Sequence, residues 1–245
     1  MKIYSVINYK GGTGKTSTVV NLSHALALRG KKVLIIDTDP QGSAGHHLGV
    51  SFKNSLFDLI MEEKTYQECI VNVRQNIDMI CSNERLFPAE IAMTKMKNRE
   101  TVLSQRLQEL SGYDVVVIDC PPSMNVLNQN SLLYCQEVLL PVSMEYLSLI
   151  GVKQLLQNIK IINKIFDREI AISSVIPTFF DKRNRKSKFV LDSLKRVFPN
   201  FVVTPIRTSV SLSEAPGFKK TVFEFDPNSK GAEDYHRLTE EVFYS

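Results

Sequence analysis

Apolar, β-branched runs alternate with helical patterns along the whole chain. Ile3–Ile7, Val33–Ile36, Ile77–Cys81, Val115–Ile118, Val138–Val142, Ala171–Ile176 and Phe201–Val203 read as strands. Val33–Ile36 has no polar alternation, as expected of a strand covered on both faces inside a parallel sheet. Between the strands, Lys15–Arg29 places Val19, Leu22 and Leu26 on one helical face, and Gly30 stands where a C-cap belongs. Ser55–Glu62, Pro88–Leu110, Tyr146–Phe166, Lys186–Phe198 and Ala232–Phe243 complete the helices. Strand–helix alternation predicts right-handed βαβ units, hence an α/β fold with one doubly wound, mostly parallel sheet and helices on both faces. With no linker, repeat or low-complexity tract, residues 1–245 read as a single domain, long enough for a well-buried core.

Composition changes this picture little. A net charge of +4 and a pI near 8.8 are only mildly basic, so the distribution of charge must decide whether nucleic acid is a partner. Cys69, Cys81, Cys120 and Cys135 form no C-x-x-C pair and sit in no His/Cys cluster, which argues for reduced core thiols in a cytosolic protein and against zinc. The chain starts directly on a strand, so no signal peptide is expected. No apolar run is long enough to span a membrane.

The chemistry concentrates at Lys10-Gly11-Gly12-Thr13-Gly14-Lys15-Thr16-Ser17, between a strand and a helix. A glycine-rich turn ahead of a helix aims several N–H groups at one point, and the helix N-terminus adds positive potential, so polyphosphate is the natural occupant. Lys15 can reach the β- and γ-phosphates and the Thr16 hydroxyl can hold Mg²⁺. The usual phosphate loop has glycine where Tyr9 stands. A second lysine, Lys10, opens the loop instead, at the wrong end to reach its own nucleotide easily but able to reach one bound by a second copy. In a doubly wound sheet, ligands sit beyond the strand carboxyl ends. Asp37-Thr38-Asp39 follows one strand and Asp119 another, so both converge on this loop. Asp119 is expected to orient Mg²⁺ through water. Asp37 and Asp39 point in different directions if strand geometry persists, one toward Mg²⁺ and the other toward the attacking water.

Lys10–Thr16 resembles the deviant Walker A motif of the ParA/MinD ATPases, a family that also includes the nitrogenase iron protein. Asp37-Thr38-Asp39-Pro40-Gln41-Gly42 resembles the segment after the second strand in ParA proteins, and Asp119-Cys120-Pro121-Pro122-Ser123 their Walker B. Leu212-Ser213-Glu214-Ala215-Pro216 and Ser229-Lys230-Gly231-Ala232 resemble two late ParA blocks. The blocks keep family order from residue 2 to about residue 243, most like the chromosomal (Soj-like) branch. The start at Met1 leaves no room for the N-terminal helix-turn-helix domain of some plasmid ParA proteins.

The resemblance implies a Mg²⁺-dependent ATPase. Asp39 matches the aspartate implicated in water activation, and Asp37 belongs with the metal network. Lys10 is donated in trans across an ATP-sandwich homodimer, whose close approach Gly11 and Gly12 permit. The base is expected near Arg207, although Ile206-Arg207-Thr208 departs from the Pro-Arg-Asn common in Soj-like proteins, with Pro205 one position early.

Lys182-Arg183-Asn184-Arg185-Lys186-Ser187-Lys188 packs five cations into seven residues, and Lys219-Lys220 forms a second basic spot. Such runs suit contact with the phosphates of double-stranded DNA without base readout. In ParA proteins arginines in these two regions form the DNA surface. Ser211 here replaces the second arginine, leaving Lys219 and Lys220 as partial substitutes. The implied partners are DNA and a ParB-like or adaptor protein that stimulates hydrolysis, in the cytoplasm on the nucleoid. A MinD-like membrane ATPase is the alternative, but the C-terminal segment Tyr235–Ser245 is acidic in its middle and lacks a basic face. A reductase like the nitrogenase iron protein would need cluster-holding cysteines, and Cys120 and Cys135 are not so arranged.

Overall fold

Seven short segments pair into one sheet, and the inner ones are apolar because they bury both faces. In the computed structural model, which describes residues 1–244, these are β1 (Lys2–Val6), β2 (Val33–Asp37), β3 (Ile70–Arg74), β4 (Ile77–Ile80), β5 (Val115–Asp119), β6 (Glu137–Ser143) and β7 (Ala171–Thr178). Their order is β3-β4-β2-β5-β1-β6-β7, parallel throughout except for the β3–β4 hairpin at one edge.

The helices are α1 (Lys15–Ala27), α2 (Ser43–Leu48), α3 (Leu56–Met61), α4 (Tyr66–Cys69), α5 (Leu86–Met93), α6 (Val102–Arg106) and α7 (Val126–Tyr134). After them come α8 (Ser148–Phe166), α9 (Arg185–Val197), α10 (Val210–Glu214), α11 (Val222–Phe225) and α12 (Lys230–Phe243). Successive strand residues point to opposite faces, which splits the core in two. Val33, Ile35, Val115 and Val117 pack with Val19, Leu22 and Leu26 of α1 and with Tyr235 and Leu238 of α12. Leu34, Ile36, Val116 and Ile118 pack with α3, α5, α7 and α8 on the other side. Among the described residues no helix is long and apolar enough to cross a membrane.

Several predicted elements change. The single helix expected over Pro88–Leu110 is broken: α5 ends at Met93, Asn98 turns into left-handed backbone at φ +54°, and a 3-10 turn at Arg99–Thr101 leads into α6. The Arg99 guanidinium donates to the Thr94 carbonyl at 2.7 Å and fixes this break. Phe201–Val203 is not a strand but a bridge through Val202, limited by Asn200 at φ +73° on one side. Besides the short helices α2, α4, α10 and α11, the unpredicted elements are the edge strand β3, whose residues are only partly buried, and α7, which starts where Asn125 accepts the Asn128 N–H at 2.9 Å.

Candidate nucleotide site

The site lies at the carboxyl ends of the inner strands, where a parallel sheet opens its ligand crevice. Asn8, fully buried after β1, launches the first loop. Its Nδ2 donates to the Pro141 carbonyl at 2.8 Å and its Oδ1 accepts the Lys10 N–H at 3.0 Å. The loop closes on Gly14, whose left-handed backbone (φ +84°) forms the N-cap of α1. The buried Thr178 hydroxyl at the end of β7 donates to the Thr13 carbonyl at 2.8 Å and holds the loop's far side. The N–H groups of Gly14, Lys15, Thr16 and Ser17 have no acceptor among the described residues. They are the unpaired donors that a helix start presents to an anion. Lys15 folds back over the loop, with Nζ 3.3 Å from the Lys10 carbonyl.

Behind the loop, the carboxylates of Asp37, Asp39 and Asp119 act on one another, and Asp119 and Asp39 also act on the buried Lys15. Asp37 and Asp119 are register partners on β2 and β5. The Thr16 hydroxyl donates to Asp119 Oδ2 at 2.7 Å, while the buried Oδ1 has no partner among the described residues. Burial pushes the Asp119 carboxyl up to about 7, against the pull of the Thr16 hydrogen bond and Lys15, with Asp39 adding to the rise. Burial and the neighbouring Asp119 also raise Asp37. Burial lowers Lys15, which Asp119 partly offsets. This excess of negative charge is what a bound cation would relieve. Among the described residues no three His, Cys, Asp or Glu side chains form a metal nest. The Thr16 hydroxyl and the Asp119 carboxylate are oxygen donors of the kind that could hold Mg²⁺, which keeps several waters of its own.

Not every predicted residue takes the place expected of it. Asp37 is fully buried and spends its oxygens on backbone N–H groups, accepting from Asp39 at 3.0 Å and Ala44 at 3.1 Å. It holds the turn and the start of α2, while Asp39, half-buried, lines the cavity wall. Arg207 lines the enclosed cavity beside Gly14 and Ser17, but its guanidinium is engaged: it grips Asp234 at 2.6 Å, also meets Glu233, and so pins the neighbouring segment to α12. Lys10 reaches Glu145 and Ser148 of its own chain, the latter at 3.2 Å. A Cβ on Gly11 or Gly12 would meet nothing within 4 Å, so that face of the loop is open.

A cavity of about 650 Å³ runs from Gly11–Ser17 past Asp39 and His46 to Pro216. It joins a more enclosed one of about 340 Å³ lined by Ile206–Ser209, Leu212 and Tyr235. Phe179, in the Thr178–Asp181 segment whose resemblance to the ParA strand-to-loop switch points to the nucleotide, stands between the two with its backbone at φ +54°, unusual for a bulky side chain.

The predicted basic cluster opens α9. Lys182, Arg183, Arg185 and Lys188 are exposed and Lys186 is half-buried, while Arg183 is paired with Asp181 at 2.8 Å. Lys219 and Lys220 are exposed on the turn before α11, where the Lys220 carbonyl lies 3.1 Å from His47 Nε2.

The AAA domain family matches residues 1–172. Over 98% of this chain and 98% of the relative, the sequence is 36% identical to the sporulation initiation inhibitor protein Soj of Bacillus subtilis. It is 32% identical to the chromosome partitioning protein ParA of Myxococcus xanthus, across 98% of this chain and 87% of that one. The chain belongs to the ParA/Soj family. As a member it is a ParA-type P-loop ATPase. A solved structure agrees in fold: a putative plasmid partition protein of Borrelia burgdorferi bound to AMPPNP superposes with a TM-score of 0.86 at 26% identity, over 99% of this chain and 98% of that one.

Proposed function

We propose that this chain is a cytoplasmic, nucleoid-associated ATPase of 245 residues in one domain that partitions a chromosome or plasmid, or positions another cargo. Its cofactors are ATP and Mg²⁺; the related fold of cobyrinic acid a,c-diamide synthase from Mycobacterium smegmatis, with a TM-score of 0.85 and 29% identity over 98% of this chain and 93% of that one, was solved with ADP and magnesium. The observation that carries the reading is the Thr16–Asp119 pair with its orphaned oxygen, directly behind a row of unpaired N–H groups.

When bound, Mg²⁺ draws charge from the phosphate oxygens and makes the β–γ bond easier to break. The chain's own residues do the rest. Thr16 and Asp119 hold the metal side, with Asp37 behind them fixing the turn. Gly11–Ser17 and Lys15 bind and orient phosphate. Asp39, on the cavity wall, positions water, and the enclosed cavity beside Ile206–Ser209 takes the base. Lys10, at the open face of Gly11 and Gly12, completes the site of a second copy in an ATP-dependent homodimer.

That dimer presents the cluster at Lys182, Arg183, Arg185, Lys186 and Lys188, joined by Lys219 and Lys220, twice on one rigid body. Non-specific DNA binding then gains avidity without a new kind of contact. A ParB-like or adaptor protein stimulates turnover and release. The membrane alternative is disfavoured because α12 spends its apolar face, Ala232, Tyr235, Leu238 and Val242, on the core.

Light scattering and turnover on three variants test this. Lys15→Ala should lose ATP binding. Asp39→Ala should bind ATP, stop hydrolysing and accumulate as a dimer. Lys10→Ala should bind ATP yet stay monomeric. A strictly monomeric Asp39→Ala protein at saturating ATP would refute the shared site.

A further inference from the structure

On the other side of the Lys10-Gly11-Gly12 wall lies a third cavity, of about 580 Å³, bounded by Glu145 and by Asn184, Lys186 and Ser187 at the start of α9. Three observations converge here. First, Ser187 is only 2% exposed and lines this cavity, and its hydroxyl stays open to the cavity with no hydrogen-bond partner among the described residues, free to meet a ligand there. Second, α9 runs for 13 residues, and the Ser187 N–H, in its first turn, has no acceptor among the described residues, while Asn184 takes the Lys186 N–H at 2.9 Å. Third, that first turn carries no acid. Arg185 and Lys186 place positive charge on the positive end of the helix dipole, an arrangement an anion relieves. Of the carboxylates on the cavity wall, Asp181 is engaged by Arg183, and Glu145 is paired with Lys10 and acts on Lys186 only through its charge, with no hydrogen bond to it.

We propose that the start of α9 is a discrete phosphate-binding site, separate from the nucleotide cavity, in which the Ser187 hydroxyl and N–H and the Lys186 ammonium hold one phosphate group. The site takes either a backbone phosphate of DNA, which rests on the DNA reading above, or free inorganic phosphate, which does not.

Backbone-amide NMR of the full chain, saturated with ADP and Mg²⁺ and titrated with inorganic phosphate against sodium chloride of equal ionic strength, reads the site. The Lys186 and Ser187 N–H signals should shift saturably. Ser187→Asp should abolish the shift, since a carboxylate would fill the site, yet an acid in the first turn favours the helix and keeps the fold. Ser187→Ala should weaken phosphate binding about tenfold, the loss of one charge-assisted hydrogen bond. A titration with a short DNA duplex, run with ATP and Mg²⁺ on the Asp39→Ala background that holds the dimer, separates the sources. Loss of DNA affinity on adding Ser187→Asp to that background assigns the site to a backbone phosphate, and unchanged DNA affinity assigns it to free phosphate. If the ATP-bound Asp39→Ala protein with Ser187 intact binds no DNA at all, the DNA reading falls and the phosphate titration alone decides. Shifts no larger than those in chloride, or a wild-type phosphate shift in Ser187→Asp, overturn the proposal.

Discussion

The Thr16 hydroxyl donates to Asp119 Oδ2 at 2.7 Å, joining the first turn of α1 to the end of β5 and leaving Asp119 Oδ1 buried without a partner among the described residues. A carboxylate so placed is half of a metal site. Asp119→Ala and Thr16→Ala should each reduce the Mg²⁺-dependent part of ADP affinity at least about tenfold, roughly 1.4 kcal/mol, while affinity in EDTA changes little. Calorimetric titration with and without Mg²⁺ measures this. An undiminished Mg²⁺ effect in both variants would place the metal elsewhere.

Gly42 closes the turn that carries Asp39. Its backbone is left-handed at φ +62°, and an added Cβ would lie 2.7 Å from the Ser82 carbonyl oxygen. Gly42→Ala should cost about 1–3 kcal/mol of stability, because both strain and a backbone clash oppose it. It should also slow hydrolysis more than it weakens nucleotide binding. Urea unfolding and turnover assays check the two parts separately, and a turnover number equal to wild type would show that the turn tolerates the shift.

Asp58 gives a pH dependence outside the site. Burial alone would raise its pKa, but hydrogen bonds from the Ser55 N–H and hydroxyl, together with Arg85 at 2.9 Å, bring it below the ordinary carboxylate value. The folded state therefore favours the ionised form. Its stabilisation is fully present above the unfolded value of about 4 and is lost as pH falls through the lower folded value. Asp58→Asn should cost about 1 kcal/mol at neutral pH through the weakened cap of α3. The gap to wild type should close on acidification below pH ~4, as followed by denaturant unfolding across pH; a gap independent of pH would mean that the charge contributes nothing.

The cluster that opens α9 should carry the salt dependence of DNA binding. Arg183→Glu with Arg185→Glu should lower DNA affinity and flatten the log–log salt slope, to which each neutralised phosphate contributes about −0.9. ATP-driven dimerisation should survive. Fluorescence anisotropy across a salt series reads both quantities, and a wild-type slope in the double variant would make the cluster an ordinary solvated turn.

Local sequence determined the parts that depend on neighbours in the chain. The unalternating apolar runs made inner strands, because a segment buried on both faces leaves no place for polar residues. The phosphate loop was legible because glycine placement and the following helix form one local geometry. Asp119 and Asp39 were placed because strand ends in a parallel sheet converge. Tertiary structure decided the rest. Asp37 and Asp39 differ by two positions, and only the packing of α2 on β2 made one an anchor and left the other on the cavity wall. Arg207 was drawn to Asp234, 27 residues away, because a carboxylate 2% exposed needs a partner. Phe179 became the divider of two cavities because β7 ends against the phosphate loop. Partners distant in sequence compete for each polar group, and burial sets the cost of leaving one unmatched, so no reading of local pattern could rank them.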